Sequence, residues 1–99
     1  MKISDLSANH RIDILEAVIT NITPEKEFSK FGRVGRVATA TLKDETGEIK
    51  LTLWDEQIDL VKEGDNIKII GAYVKEWKGE KQVNLGVHGQ LTREDIRNY

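Results

Sequence analysis

The segment Glu48-Ile49-Lys50-Leu51-Thr52-Leu53-Trp54 alternates apolar and polar residues without a break. Side chains project to opposite sides along a strand, so this period fits a half-buried β-strand and no helix. Ile49, Leu51 and Leu53 share the inward side; Lys50, Thr52 and Trp54 share the outward one. A companion run at 37–43 places Ala38, Ala40 and Leu42 inward and Thr39 and Thr41 outward. Asp44-Glu45-Thr46-Gly47 between the two runs reads as a tight turn, with Gly47 suited to a positive φ. This hairpin sets an all-β framework, and it leaves a tryptophan on the wet side of a sheet.

A second tryptophan repeats the anomaly. Tyr73, Lys75 and Trp77 alternate with Val74 and Glu76, so two rings and an ammonium project together just before Lys78-Gly79. Packing alone does not ask for large rings on a polar face beside lysines. Stacking on nucleic-acid bases does.

Composition narrows the function classes. With 99 residues, 38% hydrophobic and 32% charged, the chain reads as one soluble domain over 1–99, its core within 3–91 and a tail at 92–99. No apolar run approaches the ~18 residues of a membrane span, and Met1-Lys2-Ile3-Ser4-Asp5 has no signal-peptide core, so a cytoplasmic protein without membrane contact is expected. Zero cysteines exclude disulfides and thiolate metal sites, and no cofactor is expected. His10 and His88 fit no metal-ligand spacing. Ser29 with either histidine and any of 17 acidic residues makes a triad only by chance, so the chain does not read as an enzyme.

The net charge of −2 argues mildly against a nucleic-acid partner when averaged over the surface, but its distribution argues the other way. From Lys26 to Arg36, Lys26, Lys30, Arg33 and Arg36 meet only Glu27, and Phe28 and Phe31 lie among them. Acidic residues concentrate in turns and after Trp54.

Five strands emerge along the chain. Ile3 and Leu6 pack a short opening turn against the sheet. Residues 11–22 form a long first strand with Ile12, Ile14 and Val18 on one parity and Ala17 and Ile19 on the other, so a bulge or bend is expected at 15–17. Residues 23–35, with Pro24, Gly32 and Gly35, form a long loop, of the kind often used for function. Strands at 37–43 and 48–54 follow, then a short helix at 55–61 capped by Asp55 and left through Glu63-Gly64-Asp65. The fourth strand, 66–77, needs a bulge at Ile70-Gly71-Ala72 to reconcile Ile67 and Ile69 with Val74. The fifth, 82–87, turns Val83, Leu85 and Val87 inward and Gln82 and Asn84 outward. Thr92 to Asp95 resembles a capping box for a final helical turn.

A long bent first strand, a long first loop and a short helix between strands three and four are the layout of the five-stranded oligonucleotide/oligosaccharide-binding (OB) fold, a Greek-key barrel. Its ligands lie on strands two and three and on the first and four-five loops. The chain resembles the OB-fold domains of archaeal single-stranded DNA-binding proteins and archaeal replication protein A. The resemblance rests on Gly35-Arg36-Val37-Ala38, on the hairpin from Asp44 to Trp54, on Val61-Lys62-Glu63-Gly64-Asp65, and on Ala72-Tyr73 followed by Trp77-Lys78-Gly79. It implies base stacking on Trp54, Tyr73 and Trp77 and backbone contacts from the basic first loop. Family members often carry an acidic C-terminal tail, further barrels or a zinc finger, none of which is found in these 99 residues.

The resulting expectation is passive binding of single-stranded DNA with little sequence preference, in replication, recombination and repair. The DNA-binding residues are Trp54, Tyr73, Trp77, Phe28, Phe31, Lys30, Arg33, Arg36, Lys75 and Lys78, with Thr52, Gln82 and Asn84 near base edges. Replication or repair proteins are the expected protein partners. An RNA-binding barrel and a protein-interaction barrel are the competing readings.

Overall fold

Strand β1 (Arg11–Ile22) is long enough to serve two neighbours, and barrel closure depends on it. In the computed structural model, which describes residues 2–86 and 89–94 without the side chains of Trp77 and Glu94, its first part pairs with β5 (Asn66–Trp77). Its last part pairs with β3 (Arg33–Asp44). Strand β4 (Gly47–Trp54) runs antiparallel to β3 and meets β6 (Glu80–Asn84) in a short parallel contact, Lys50 opposite Gln82 and Leu51 opposite Val83. Strand β6 returns antiparallel to β5, completing the circuit β1-β3-β4-β6-β5-β1. This is the closed five-stranded barrel expected from the sequence. Helix α1 (Glu56–Leu60) sits between β4 and β5.

The inward residues of the barrel form one core: Ile12, Leu15, Ile19, Leu42, Leu51, Leu53, Ile67, Ile69, Val74 and Val83 are fully buried. Ile3 and Leu6, on a 3₁₀ turn at Ile3–Asp5, join it. That turn is tied to the β3–β4 hairpin: the Ile3 N–H donates to Asp44 Oδ2 (2.8 Å) and the Ser4 N–H to Thr46 Oγ1 (3.0 Å).

Local structure departs from the sequence reading at several places. The parity change in β1 comes earlier than 15–17: Ile14 faces out, 47% exposed, while Leu15, Ala17 and Ile19 face in and Val18 is half-buried. Its partner Ile70 also faces out, beside Gly71 at φ 70°, so both strands change face at the same place with no shift in their register and no bulge. A separate register shift falls between Ile19 and Asn21. The loop at 23–35 is largely a hairpin, β2 (Lys26–Lys30) paired with the start of β3, which begins at Arg33 and not at 37.

Gly47 does not adopt a positive φ, because the Asp44 carboxylate organises the turn by accepting from the N–H groups of Thr46 (2.7 Å) and Gly47 (3.2 Å). Asp55 precedes α1 but makes no side-chain cap; its Oδ1 accepts from the Arg36 N–H instead. The tail forms a strand, β7 (Gln90–Glu94), on β5, in place of a helical turn, with Leu91 opposite Ile69. Backbone pairing with β5 there outweighs a local capping pattern, and Asp95 lies outside the described residues, as does Val87.

Candidate nucleic-acid interface

Strand register decides which side chains share the outer face. Val37 pairs with Trp54, Thr39 with Thr52 and Thr41 with Lys50 across β3 and β4; Lys50 pairs with Gln82 on β6, and Gln82 with Lys75 on β5. Tyr73 pairs with Asn84 on one side and Arg11 on the other. The β2–β3 hairpin continues the same face, with Lys26 opposite Val37, Phe28 opposite Gly35 and Lys30 opposite Arg33. Paired residues point the same way, so Lys26, Phe28, Lys30, Arg33, Thr52, Trp54, Tyr73, Lys75, Gln82 and Asn84 lie on one continuous surface. Between the Trp54 and Lys50 rungs no carboxylate occurs among the described residues. Glu48 and Glu80 stand at the end away from Trp54.

The rings are held, not loose. Trp54 is 44% exposed and meets Phe28 edge-on, with ring centres 5.7 Å apart and planes at 90°. The strand beneath the ring is tied to α1, where the Trp54 backbone N–H donates to Gln57 Oε1 (3.0 Å). Tyr73 is half-buried against Gly86, and the Lys75 ammonium lies 5.6 Å from its ring centre. Phe31, at the hairpin tip, is 93% exposed, with the Lys30 ammonium 5.6 Å from its ring. Around it a cleft of about 730 Å³ is lined by Phe28, Lys30, Phe31, Arg33, Val34, Gly35 and Asp55.

Arg36 stands apart from the other basic loop residues. It pairs with Glu27, on the opposite side of the hairpin from Arg33. Its guanidinium donates to both Asp59 carboxylate oxygens (2.8 and 3.3 Å) and to Glu25 Oε2 (3.1 Å). The hydrogen bond to Asp59 holds the Arg36 proton more tightly than usual, with burial opposing. The same bond holds the Asp59 carboxyl below its ordinary range. Lys78 lies in the β5–β6 turn with φ 52°, and the Trp77 side chain is outside the described structure.

Three cations of this face are missing from the sequence-derived site, Arg11, Lys26 and Lys50. Lys50 was legible from its shared parity with Trp54; it donates to Thr41 Oγ1 (2.9 Å). Arg11 was not, because only the pairing of β1 with β5 brings it to Tyr73. Among the described residues no group of three His, Asp or Glu side chains is placed to hold a metal ion, and no helix is long and apolar enough to cross a membrane.

A family model described as single-stranded DNA binding protein Ssb-like, OB fold, matches residues 6–93. The chain belongs to this Ssb-like family. It is a family of binding proteins, not of enzymes. The chain is similar to the single-stranded DNA binding protein Ssb of Saccharolobus solfataricus, 34% identical over 80 residues that make up 81% of this chain and 51% of the relative. It is also similar to replication factor A of Methanothermobacter thermautotrophicus, 33% identical over 96 residues, covering 92% of this chain and 12% of that one. It thus spans about half the length of the first relative and a small part of the second. Among solved structures, the second OB-fold domain of replication protein A from Methanococcus maripaludis superposes with a TM-score of 0.76 at 30% identity, covering 100% of both chains. In this Ssb-like barrel the aromatic and basic residues lie on the outer face of β3, β4, β5 and β6 and on the β2–β3 hairpin.

Proposed function

We propose that this Ssb-like chain binds single-stranded DNA with little sequence preference, stacking bases on Trp54, Tyr73 and Trp77 while cations of the same face neutralise phosphates. The observation that carries the reading is the shared face itself. It joins Trp54, Phe28 and Tyr73 to Lys26, Lys30, Arg33, Lys50 and Lys75 with no carboxylate, among the described residues, between the Trp54 and Lys50 rungs. A protein of net charge −2 thereby presents a cationic groove locally. The names of the relatives support the same ligand.

Stacking is tolerant of sequence because every base has a π-face, and counterion release from the phosphates supplies the electrostatic part. Duplex DNA binds poorly on this reading, since its bases are already stacked. Lys78 in the β5–β6 turn and Phe31 at the hairpin tip flank the groove, and Thr52, Gln82 and Asn84 are placed to meet base edges. Work in replication, recombination or repair, alongside proteins of those processes, follows from the same reading.

Titration with oligo-dT tests it. Tryptophan emission should be quenched at a stoichiometry of a few nucleotides, within the ~4–16 typical for one OB fold. Equal or tighter binding of oligo-U would redirect the reading to RNA, and no binding of either would overturn it.

A further inference from the structure

Beyond the Val37–Trp54 rung, the β2–β3 hairpin has no third strand among the described residues. A two-stranded ribbon is marginal alone, so its angle to the barrel needs another constraint. That angle matters because the ribbon carries Phe28 and Trp54 does not belong to it.

Arg36 is the first residue past that rung, at the hinge. Its N–H donates to Asp55 Oδ1 (3.0 Å) and its carbonyl accepts from the Asp55 N–H (2.9 Å). Its guanidinium then grips Asp59 of α1 with two nitrogens and Glu25, just before β2, with one of them. Asp55 follows Trp54 directly and has φ 51°, ψ −120°, a conformation that persists in a non-glycine residue only when its surroundings over-determine it. Gln57 holds the Trp54 N–H from the same helix. Trp54 is thus fixed from α1, Phe28 from the hairpin, and Arg36 joins the two supports from the back of the sheet.

We infer that Arg36 is a positioning residue, which sets the Phe28–Trp54 pair for a base by clamping the hairpin to α1 and does not contact phosphate. The inference rests on the single-stranded DNA reading of the groove and names what preorganises it. Each clamp contact is partly exposed and individually weak, so loss of the clamp should lower affinity by roughly three- to tenfold.

The test compares Arg36→Ala, Arg36→Lys and Asp59→Ala in the full chain, with oligo-dT affinity measured across a salt series and amide exchange measured without DNA. The clamp predicts weaker binding by Arg36→Ala with an unchanged salt slope, partial rescue by Arg36→Lys, and faster exchange at 27–36. It also predicts weaker binding by Asp59→Ala, although removing a carboxylate should by charge alone strengthen binding to a polyanion. Tighter binding by Asp59→Ala would overturn it. So would a slope reduced by about 0.7 in Arg36→Ala, the signature of one lost phosphate contact. If the wild-type chain binds no oligonucleotide, the functional reading fails, and unchanged exchange at 27–36 in both alanine variants would then refute the clamp by itself.

Discussion

Phe28 lies flat across Gly35, its partner in the β2–β3 hairpin, and its ring fills the space that any Cβ at position 35 would occupy. Aromatic cover of a strand glycine supplies the packing that the missing side chain cannot. Here it also sets the ring perpendicular to Trp54. Gly35→Ala should therefore swing Phe28 off the tryptophan, losing about 0.5–1.5 kcal/mol of ring-pair energy. A shift in tryptophan emission with weaker oligo-dT binding is expected; unchanged emission would mean that the ring pair does not depend on Gly35.

Core and groove residues of the same strand should separate cleanly. Leu51 is fully buried, and Leu51→Ala should cost about 2–5 kcal/mol of folding stability. Trp54→Ala should cost roughly 1–3 kcal/mol in binding and little in stability. Denaturant melts beside titrations decide this. Unfolding of Trp54→Ala would show that the ring supports the barrel.

Much of this was legible in the sequence, for a physical reason. Period-2 alternation over 48–54 fixes both the strand and the outward direction of Trp54, and the conflict between Ile69 and Val74 demands a change of face near Gly71; that change occurs there, with Gly71 at positive φ, but without the expected bulge, since β5 keeps one register with β1 throughout. The β2–β3 hairpin was hidden because its turn, Phe31-Gly32, lacks the Asn-Gly signature, so Gly32 and Gly35 read as loop. That concealment also grouped Arg33 with Arg36. Three positions apart in a strand, they must point to opposite faces, which is what separates a groove cation from the clamp. Strand β7 was hidden because Leu91 is the only apolar residue in Gln-Leu-Thr-Arg-Glu, and its pairing with β5 is a tertiary fact.

Phe31 holds φ 53° ahead of Gly32 at 76°, positions a tight hairpin normally gives to Asn and Gly. A phenylalanine there is strained and exposed, an arrangement that serves ligand contact better than stability. Phe31→Asn should stabilise the fold by about 0.5–1 kcal/mol while weakening oligo-dT binding. Stabilisation with undiminished binding would remove Phe31 from the interface.

Acid should loosen the junction between the opening turn and the β3–β4 hairpin. Burial pushes the half-buried Asp44 carboxyl up, but the Thr46 hydroxyl and the N–H groups of Ile3, Thr46 and Gly47 outweigh it and hold the group below its ordinary 3.8. A depressed carboxyl contributes stability that is complete above its unfolded value and is lost as pH falls through the native one. Stability should thus decline below about pH 3.8. Asp59 titrates in the same direction through Arg36, so Asp44→Asn should reduce the acid dependence without abolishing it. An identical pH profile for Asp44→Asn would contradict the role assigned to this carboxylate.

Salt dependence should divide the basic residues. Lys26, Lys30, Arg33, Lys50 and Lys75 share the groove face, and each phosphate neutralised on a single strand contributes about −0.7 to the slope of log K against log salt. Three to five contacts give a slope of roughly −2 to −3.5. Arg33→Ala and Lys50→Ala should each flatten the slope by about 0.7 and weaken binding to all sequences alike, with quenching at saturation intact. Arg11→Ala measures how far the groove extends past Tyr73: a flattened slope carries the strand path onto β1, and an unchanged one ends it at β5. A slope that stays the same in both Arg33→Ala and Lys50→Ala would take these two residues out of phosphate contact and leave Lys26, Lys30 and Lys75 to carry the salt dependence.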